Sequence, residues 1–204
     1  MNDQHTDNSP DRILVNKVLS GNTDAFAIII KNTEGLVAQV VYKMIPNNED
    51  RKDIAQDVYL KAFHQLQQFR FQSKLSTWIA RIAYNTCLNY LEKKRLFFPP
   101  YAPAAGEDAE DPLEVLSNQQ LDNLTSETEK LFSQKELAAI LQAAIEQLPP
   151  LYRLLIILFH NQELSYIEIA QITQLPGGTI KSYLSRARKT LRDNLLLTYK
   201  KEAL

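Results

Sequence analysis

The stretch LPGGTIKSYLSRARKTLR, residues 175–192, decides the fold of the C-terminal part of this chain. It carries several cations and no carboxylate, although the 204-residue chain has a formal net charge of only −1. At about 100° per residue, its apolar side chains fall within an arc of about 60°. They are Ile180, Leu184, Ala187 and Leu191, and the other side carries Lys181, Ser182, Ser185, Arg188, Lys189 and Arg192, with Arg186 at its edge. The pattern predicts a helix that packs by one face and presents positive charge on the other.

A second, shorter helix is predicted immediately before this one. Ser165 and Glu168 fit the S-x-x-E capping box, in which each side chain satisfies a free backbone N–H of the other, and the helix is expected to end near Thr173. A short helix, a glycine-containing turn and a basic amphipathic helix form a helix-turn-helix, whose second helix lies in the DNA major groove. The alternatives are a solvated basic face on a structural helix and a membrane-surface helix. The apolar stripe lacks the Trp and Phe of a membrane-surface helix, so DNA binding is favoured.

Two further helices are predicted upstream. Ser133 and Glu136 repeat the capping-box pattern and predict a helix to about Gln147. Its expected packing face holds Leu137, Ile140, Leu141, Ala144, Ile145 and Leu148. Pro149 and Pro150 end this helix, and an apolar helix is expected from Leu151 to His160.

The distribution of charge divides the chain into parts. Residues 1–95 have a net charge of +3, residues 96–132 of −7 and residues 133–204 of +3. With only five glycines and many strong helix formers, the composition favours an all-α fold of two small helical domains joined by a flexible acidic linker. The predicted boundaries are a disordered tail at 1–11, a first domain at 12–95, the linker at 96–132 and a helix-turn-helix domain at 133–204.

The linker carries a cluster of carboxylates: Glu107, Asp108, Glu110, Asp111 and Glu114. The cluster lacks the spacing and the glycine of a calcium loop, so a solvated connection is favoured over a metal site.

The N-terminal part contains a second informative helix, from Asp50 to Leu66. Its packing face is formed by Ile54, Ala55, Val58, Tyr59, Ala62 and Leu66, and its opposite stripe by Asp53, Gln56, Asp57, His64 and Gln67. Leu60 lies within the polar stripe. An exposed leucine among carboxylates and amides indicates a protein-binding surface, although isolated surface leucines are common and leave both readings open.

From Phe69 onward, aromatic side chains are interleaved with Arg70, Gln72 and Lys74, and Ser76 is expected to cap a helix from Thr77 to about Arg95. Trp78, Arg81, Asn85 and Asn89 share one stripe of that helix. Aromatic side chains beside cations can stack on unpaired bases and hold a backbone. The same aromatics could instead fill the core, and for Trp78 the sequence leaves both readings open.

The composition excludes several other classes. The histidines, His5, His64 and His160, are scattered, no nucleotide-binding or metalloprotease motif occurs, and neither a metal site nor a cofactor is expected. Cys87 is the single cysteine, so no internal disulfide can form. The polar N-terminus lacks the apolar core of a signal peptide, and the longest apolar run is too short to cross a bilayer. A cytoplasmic, non-catalytic protein without membrane insertion is expected.

Three stretches, in order, resemble bacterial RNA polymerase sigma factors of the small extracytoplasmic-function (ECF) group. They are DIAQDVYLKAF at 53–63, STWIARIAYN at 76–85 and the basic stretch at 175–192. The resemblance covers about residues 12–95 and 133–195. Tyr183 stands where many members carry a basic residue, so base readout at that position is not carried over.

The resemblance implies three sites. Asp53, Gln56, Asp57 and Leu60 would bind the β′ clamp helices of core RNA polymerase, which also engages members of this group through its β subunit. Recognition and melting of the promoter −10 element would fall to Arg70, Phe71, Gln72, Lys74, Ser76, Trp78, Arg81 and Asn85. The −35 element would be read by Thr179, Lys181, Ser182, Ser185, Arg186, Arg188 and Lys189. The linker would run near the polymerase active centre, where its acidic residues could mimic nucleic acid.

The resemblance also implies two partners besides the polymerase, namely promoter DNA and an anti-sigma factor. The rival hypotheses are a stand-alone helix-turn-helix regulator that dimerises and binds DNA without polymerase, and a nucleic-acid enzyme. The 53–63 motif and the lack of a heptad helix oppose the first, and the lack of a catalytic constellation opposes the second.

Overall fold

The computed structural model describes residues 9–94 and 127–202, and these residues form helices without any strand. The first four helices are α1 (Pro10–Leu19), α2 (Thr23–Met44), α3 (Asn48–Gln65) and α4 (Leu75–Lys93), and we call them the N-terminal bundle. The next four are α5 (Glu127–Glu146), α6 (Pro150–Ile156), α7 (Tyr166–Thr173) and α8 (Gly177–Glu202), the C-terminal bundle. The all-α prediction is confirmed, whereas most of the predicted linker and its acidic cluster lie outside the described residues.

The N-terminal bundle forms around α2 and α4, which pack on each other and on α3. Their inward side chains are almost fully buried, including Ile29, Val40, Val58 and Ile79. Each such side chain stabilises the fold by about 1.5–3 kcal/mol relative to exposure in water. Asn47 caps α3 by accepting a hydrogen bond from the Glu49 N–H at 3.1 Å.

The start of α4 differs from the prediction. The helix begins at Leu75, and its N-cap residue is Lys74, which makes no side-chain cap, so the prediction that Ser76 caps the helix is wrong. The acceptor comes from a different helix: the Leu75 N–H donates to Asp11 Oδ2 in the first turn of α1, at 2.9 Å. A carboxylate 64 residues away in sequence therefore accepts the hydrogen bond at the start of α4 that the local pattern had assigned to the serine side chain.

The C-terminal bundle is built on the helix-turn-helix. The predicted capping box of α7 is present: the Glu168 N–H donates to Ser165 Oγ at 3.3 Å, and the Ser165 N–H donates to Glu168 Oε2 at 3.0 Å. Gln174 ends α7 in the left-handed region with φ of 60° and directs the chain into α8. Ile169, Ile172, Ile180 and Leu184 are fully buried where the two helices meet.

Two other boundaries correct the sequence analysis. Because α5 begins at Glu127, Ser133 lies inside the helix and does not cap it. Leu137 and Leu141 were predicted to lie on the packing face of α5 but are 54% and 39% exposed. The first buried residue in the described part of α5 is Ala144. A single helix was expected from Leu151 to His160. The structure has an α-helix that ends at Ile156 and is followed directly by one π turn, Ile157–Asn161.

The two bundles pack on each other, with α7 against α4 and α6 against α2. Lys43, only 8% exposed, pairs its ammonium with the Glu146 carboxylate at the end of α5. Arg153 Nη1 lies 3.0 Å from the other oxygen of that carboxylate. A lysine so deeply buried requires a partner, so this contact is part of how the bundles fit together.

Candidate nucleic-acid and partner interfaces

The outer face of α3 brings together the four residues predicted to bind a protein partner. Ile54, Val58 and Ala62 point into the core, so the four at Asp53, Gln56, Asp57 and Leu60 are exposed on the opposite side. Their spacing of i, i+3, i+4 and i+7 aligns them along one stripe. Leu60 is 60% exposed, and the Asp57 carboxylate lies 2.7 Å from the Lys61 ammonium. The stripe is an apolar knob bordered by anionic and amide groups.

The segment between α3 and α4 is held by an aromatic cluster. The Phe69 ring lies 4.7 Å from that of Phe71 and 5.2 Å from that of Trp78, centroid to centroid. The Arg12 guanidinium lies 4.8 Å from the centre of the Phe71 ring. Phe71 itself has φ of 56°, a strained conformation for a bulky residue. Trp78 is 8% exposed, which confirms the first of its two possible roles, packing in the core.

Beside this cluster lies a cavity of about 330 Å³, which we call the aromatic cavity. It is lined by Gln68, Phe69, Arg70, Gln72, Ser73, Thr77, Trp78, Arg81 and, from α7, Gln171. Four predicted DNA-binding residues, Arg70, Gln72, Trp78 and Arg81, therefore share one concavity. Its volume lies within the range of sites that hold a small ligand group.

The other predicted residues of this region lie outside the lining. Lys74 and Asn85 are exposed and half-buried, respectively, and Ser76 is half-buried near the start of α4. Sequence reasoning missed the contributions of Gln68, Ser73, Thr77 and Gln171. The first three adjoin the predicted residues in sequence, whereas no local signal could have placed Gln171 there.

One ion pair joins this region to the C-terminal bundle. Lys74 Nζ lies 2.8 Å from Glu168 Oε1, and the side chains are 71% and 18% exposed. The hydrogen bond from Lys74, followed by those from Ser165, lowers the pKa of Glu168 to about 2. The same hydrogen bond raises the pKa of Lys74. Glu168 therefore serves both the capping box of α7 and the contact between the bundles.

The outer face of α8 carries the residues predicted to meet duplex DNA. Ile180, Leu184 and Ala187 are buried, as the periodicity predicts. On the outer side Lys181, Arg186 and Lys189 are exposed, and Thr179, Ser182, Ser185 and Arg188 are half-buried. Tyr183 is 6% exposed and packs on Tyr152 at 5.5 Å, so it belongs to the core.

Two of the residues predicted to contact duplex DNA, Arg188 and Ser182, are less accessible than a helical projection indicates. Arg188 Nε donates to His160 Nε2 at 3.3 Å, and its guanidinium lies 5.5 Å from the Phe159 ring centre. Ser182 Oγ is buried and has no hydrogen-bond partner among the described residues, so presenting it to DNA requires a rotation about χ1.

Two kinds of site do not occur in the described ranges, 9–94 and 127–202. No helix there combines the length and apolar character that crossing a bilayer requires. No group of three His, Cys, Asp or Glu side chains there is placed to hold a metal ion.

Comparisons with known proteins identify the family of the chain. Residues 29–97 match the family described as Sigma-70 region 2, and residues 133–191 match Sigma-70, region 4. The chain is 33% identical to the ECF RNA polymerase sigma factor SigW of Bacillus subtilis over 89% of its length and 94% of that protein. It is 35% identical to the ECF RNA polymerase sigma-E factor of Escherichia coli, over 89% of its length and 92% of that protein.

A solved structure shows the same fold. The sigma factor RpoE in complex with the anti-sigma factor NepR from Bartonella quintana aligns with a TM-score of 0.57 and 22% identity. The alignment covers 83% of this chain and 96% of the RpoE chain.

Proposed function

This chain belongs to the ECF group of RNA polymerase sigma factors, and from this premise we propose how its surfaces divide the work of promoter-specific initiation. The sigma factor binds core RNA polymerase and directs it to promoters by recognising −10 and −35 elements. The outer face of α3 binds the clamp helices of the polymerase β′ subunit. The observation that carries this assignment is Leu60, which is 60% exposed between carboxylate and amide side chains on a helix whose opposite face is buried. An apolar anchor surrounded by polar groups that can exclude water from it fits the layout of a protein-binding interface.

The −10 element is recognised and opened at the aromatic cavity. A base that leaves the duplex can stack on aromatic side chains, and the cations hold its phosphates. Arg70, Gln72, Trp78 and Arg81 line the cavity, with Phe71, Lys74, Ser76 and Asn85 around it. Trp78 acts here as one wall of a pocket whose shape the Phe69 ring fixes.

The −35 element is read by α8 in the major groove. The exposed cations Lys181, Arg186 and Lys189 neutralise phosphates or bond guanine, and Thr179, Ser182, Ser185 and Arg188 complete the interface. The polymerase holds both bundles at promoter spacing, where the effective concentration of the second contact is high. The free chain alone is expected to bind duplex promoters weakly.

Sigma factors are initiation factors, and the phosphoryl transfer of RNA synthesis belongs to the polymerase. We therefore assign the chain no catalytic role, and we place it in the bacterial cytoplasm with the polymerase. The division into tail, two domains and linker is retained as a proposal, with α1 beginning at Pro10 and α5 at Glu127, slightly before the predicted boundaries at residues 11 and 132. The acidic linker is proposed to run near the polymerase active centre.

An anti-sigma factor is a further proposed partner, because the Bartonella quintana RpoE of the same fold is seen bound to one. The test is a screen for genes whose co-expression silences transcription that depends on this chain. The purified product should then displace the chain from core polymerase. Failure of every such gene product to compete with polymerase would contradict this partner.

The test of the main proposal is complex formation with purified core RNA polymerase, followed by gel filtration and titration. The Leu60→Ala variant is expected to bind about 30-fold more weakly, as for an interface hot spot of about 2 kcal/mol. Leu19→Ala is the matched control, because Leu19 is also an exposed helical leucine, 47% exposed on α1. Equal affinities for the two variants would reject the α3 face as the polymerase site.

A further inference from the structure

The first helix of the chain contacts the segment between α3 and α4 through two neighbouring side chains. Asp11 Oδ2 accepts a hydrogen bond from the Leu75 N–H at 2.9 Å, at the start of α4. The Arg12 guanidinium lies 4.8 Å from the centre of the Phe71 ring. The residues between Phe71 and Leu75 include two of those proposed to meet the −10 element, and we call them the recognition segment. Helix α1 therefore holds this segment at both of its ends.

The position of α1 is fixed by the burial of its inner face. Val15 and Val18 are 1% and 8% exposed, and α1 packs on α2. Asp11 precedes these valines by four and seven residues, so it lies on the same stripe of the helix. Arg12, the next residue, is exposed and reaches the Phe71 ring from the edge of that stripe. Packing of two valines therefore brings an acceptor and a cation to the recognition segment.

The Asp11 contact supplies an acceptor that the residues at the start of α4 do not provide. The first N–H groups of a helix have no acceptor within the helix, and the N-cap residue Lys74 makes no side-chain cap. A carboxylate acceptor gives a charge-assisted hydrogen bond, which is stronger than a neutral one. Without Asp11 the first turn of α4 would therefore open more readily.

The Arg12 contact involves a residue in an unfavourable conformation. Phe71 has φ of 56°, and such a backbone persists only where its surroundings hold it. The Phe71 ring contacts the Arg12 guanidinium and, at 4.7 Å between centres, the Phe69 ring. Phe69 in turn packs at 5.2 Å on Trp78, which lines the aromatic cavity. A chain of contacts thus runs from α1 to the cavity.

We propose that Asp11 and Arg12 are positioning residues for −10 recognition, which hold the recognition segment in the conformation that binds DNA. The proposal rests on the proposed function for the identity of that DNA. The physical reason is preorganisation, because a segment already held in one conformation loses less conformational entropy on binding. Both residues lie outside residues 29–97, the range that matches Sigma-70 region 2, and α1 carries none of the residues proposed above to contact DNA.

Variants of Asp11 can separate its acceptor from its charge. Asp11→Ala removes the acceptor, whereas Asp11→Asn retains a side-chain oxygen that caps a helix about as well. Asp24→Ala is the matched control, because Asp24 is an exposed aspartate in the first turn of α2, as Asp11 is in the first turn of α1. Both alanine variants therefore lose one negative charge from a helix N-terminus.

Arg12 has a matched control on the same helix. Arg12→Ala removes the cation beside Phe71, and Lys17→Ala removes an exposed cation from the last turn of α1. The two variants have the same net charge. Denaturant unfolding of every variant measures any change in the stability of the whole chain.

The first measurement on the free chain follows the hydrogen bond of Asp11. NMR gives the rate at which the Leu75 N–H exchanges with water, and Asp11→Ala should raise this rate about 2- to 30-fold, the range for loss of a helix cap. Asp11→Asn and Asp24→Ala should leave the rate close to that of the wild-type chain.

The second measurement on the free chain follows the contact of Arg12. Trp78 is the single tryptophan, so acrylamide quenching of its fluorescence reports how well the aromatic cluster is held. Arg12→Ala should raise the quenching constant above that of Lys17→Ala, since loss of an exposed cation–π contact shifts an equilibrium about 2- to 5-fold.

Promoter selection by the polymerase complex tests the role in recognition. Core RNA polymerase with each variant transcribes promoter fragments that are randomised at the −10 and −35 elements and barcoded in the transcribed region. A segment that spends a smaller fraction of the time in its binding conformation binds its element more weakly in the same proportion. Asp11→Ala and Arg12→Ala should therefore lower the enrichment of the wild-type −10 motif about twofold or more and leave that of the −35 motif unchanged. Asp11→Asn and both controls should keep both motifs.

A purely structural role predicts a different result, in which less folded chain lowers the yield of transcripts and both motifs keep their enrichment. That result would overturn the positioning role. An unchanged Leu75 exchange rate in Asp11→Ala would overturn the part of Asp11, and equal quenching in Arg12→Ala and Lys17→Ala that of Arg12. A wild-type complex that selects no −10 motif would overturn the proposed function and with it the role in −10 recognition. The two measurements on the free chain do not involve polymerase, so the two failures are distinguishable.

Discussion

Arg188 Nε donates a hydrogen bond to His160 Nε2 at 3.3 Å, which anchors a cation of α8 to the π turn of the same bundle. The Phe159 ring, 5.5 Å from the guanidinium, adds a cation–π contact. Arg186, two residues earlier, is exposed on the outer side of α8. The two arginines lie in the same basic stretch of the sequence but have different environments in the structure. Substituting them should therefore have different consequences.

Replacing Arg188 by alanine should destabilise the folded chain by about 1 kcal/mol, because it removes a cation–π contact and a hydrogen bond. Replacing Arg186 by alanine should leave stability within about 0.5 kcal/mol, as is usual for exposed positions. Denaturant unfolding of both variants measures the difference. Equal destabilisation would show that the contacts of Arg188 with the π turn contribute nothing.

The same pair predicts a split in promoter binding. In the polymerase complex Arg186→Ala should weaken binding to −35 DNA by about 1–3 kcal/mol if it bonds a guanine, with the loss confined to particular base pairs. A loss that is uniform across −35 sequences, with a salt slope reduced by about 1, would identify Arg186 as a phosphate contact instead. Fluorescence anisotropy on a set of −35 variants distinguishes the two.

The Lys74–Glu168 ion pair beside the aromatic cavity should depend on pH, and we expect the exposure of Trp78 in that cavity to report it. The pKa of Glu168 is lowered from 4.5 to about 2, mainly by the hydrogen bond from Lys74. When a contact lowers the pKa of a carboxyl group, the ionised carboxylate stabilises that contact fully at any pH above the ordinary pKa. The stabilisation is lost as the pH falls toward the lowered pKa. The difference in Trp78 quenching between the wild-type chain and Glu168→Gln should therefore be complete above about pH 4.5 and shrink as the pH approaches 2. Because both chains share every other carboxylate, a difference that does not change over this range would contradict the prediction.

Cys87 should be chemically inert in the folded chain. It is fully buried in α4, and burial raises the pKa of its thiol to about 12, whereas thiolate is the reactive form. A colorimetric disulfide reagent at about pH 8 should label no thiol in the native chain and one equivalent in denaturant. Rapid labelling under native conditions would show that α4 opens far more readily than its packing indicates.

Gln174 is predicted to be a site where glycine stabilises the chain. It ends α7 with φ of 60°, a conformation that is strained for residues with a Cβ and free for glycine. Gln174→Gly should raise the free energy of unfolding by about 0.5–1 kcal/mol. Gln39→Gly, inside α2, is the control and should lower it by about 1 kcal/mol. A loss of stability in both variants would contradict the role of the left-handed cap.

The sequence predicted those features whose causes are local. The α3 helix, the capping box at Ser165 and the cationic face of α8 follow from spacings of three or four residues, and the structure has all three. The cap predicted at Ser76 failed because Asp11, far away in sequence, supplies the acceptor at the start of α4. Serine, threonine and glutamate patterns cannot show which distant carboxylate a helix terminus will meet.

The contacts between the two bundles could not be predicted from the sequence either. Lys74 and Glu168 were each assigned to local features, a basic loop and a helix cap, and their pairing depends on tertiary packing. Gln171 lines the aromatic cavity for the same reason. For Trp78 the sequence left two readings open: its burial confirms that it packs in the core, and contact with DNA through the wall of the aromatic cavity stays a prediction.

The most direct test of the central claim is transcription from purified components. Core RNA polymerase is incubated, with and without this chain, with a pool of promoter fragments that are randomised at the −10 and −35 elements and carry a matching barcode in the transcribed region. The barcodes of the transcripts are then sequenced. The account predicts transcripts only when the chain is present, from fragments that share one −10 and one −35 motif, with a strong loss of yield for Gln56→Ala/Leu60→Ala. Absence of any promoter-specific transcript, together with tight binding of the free chain as a dimer to a palindromic duplex, would contradict it.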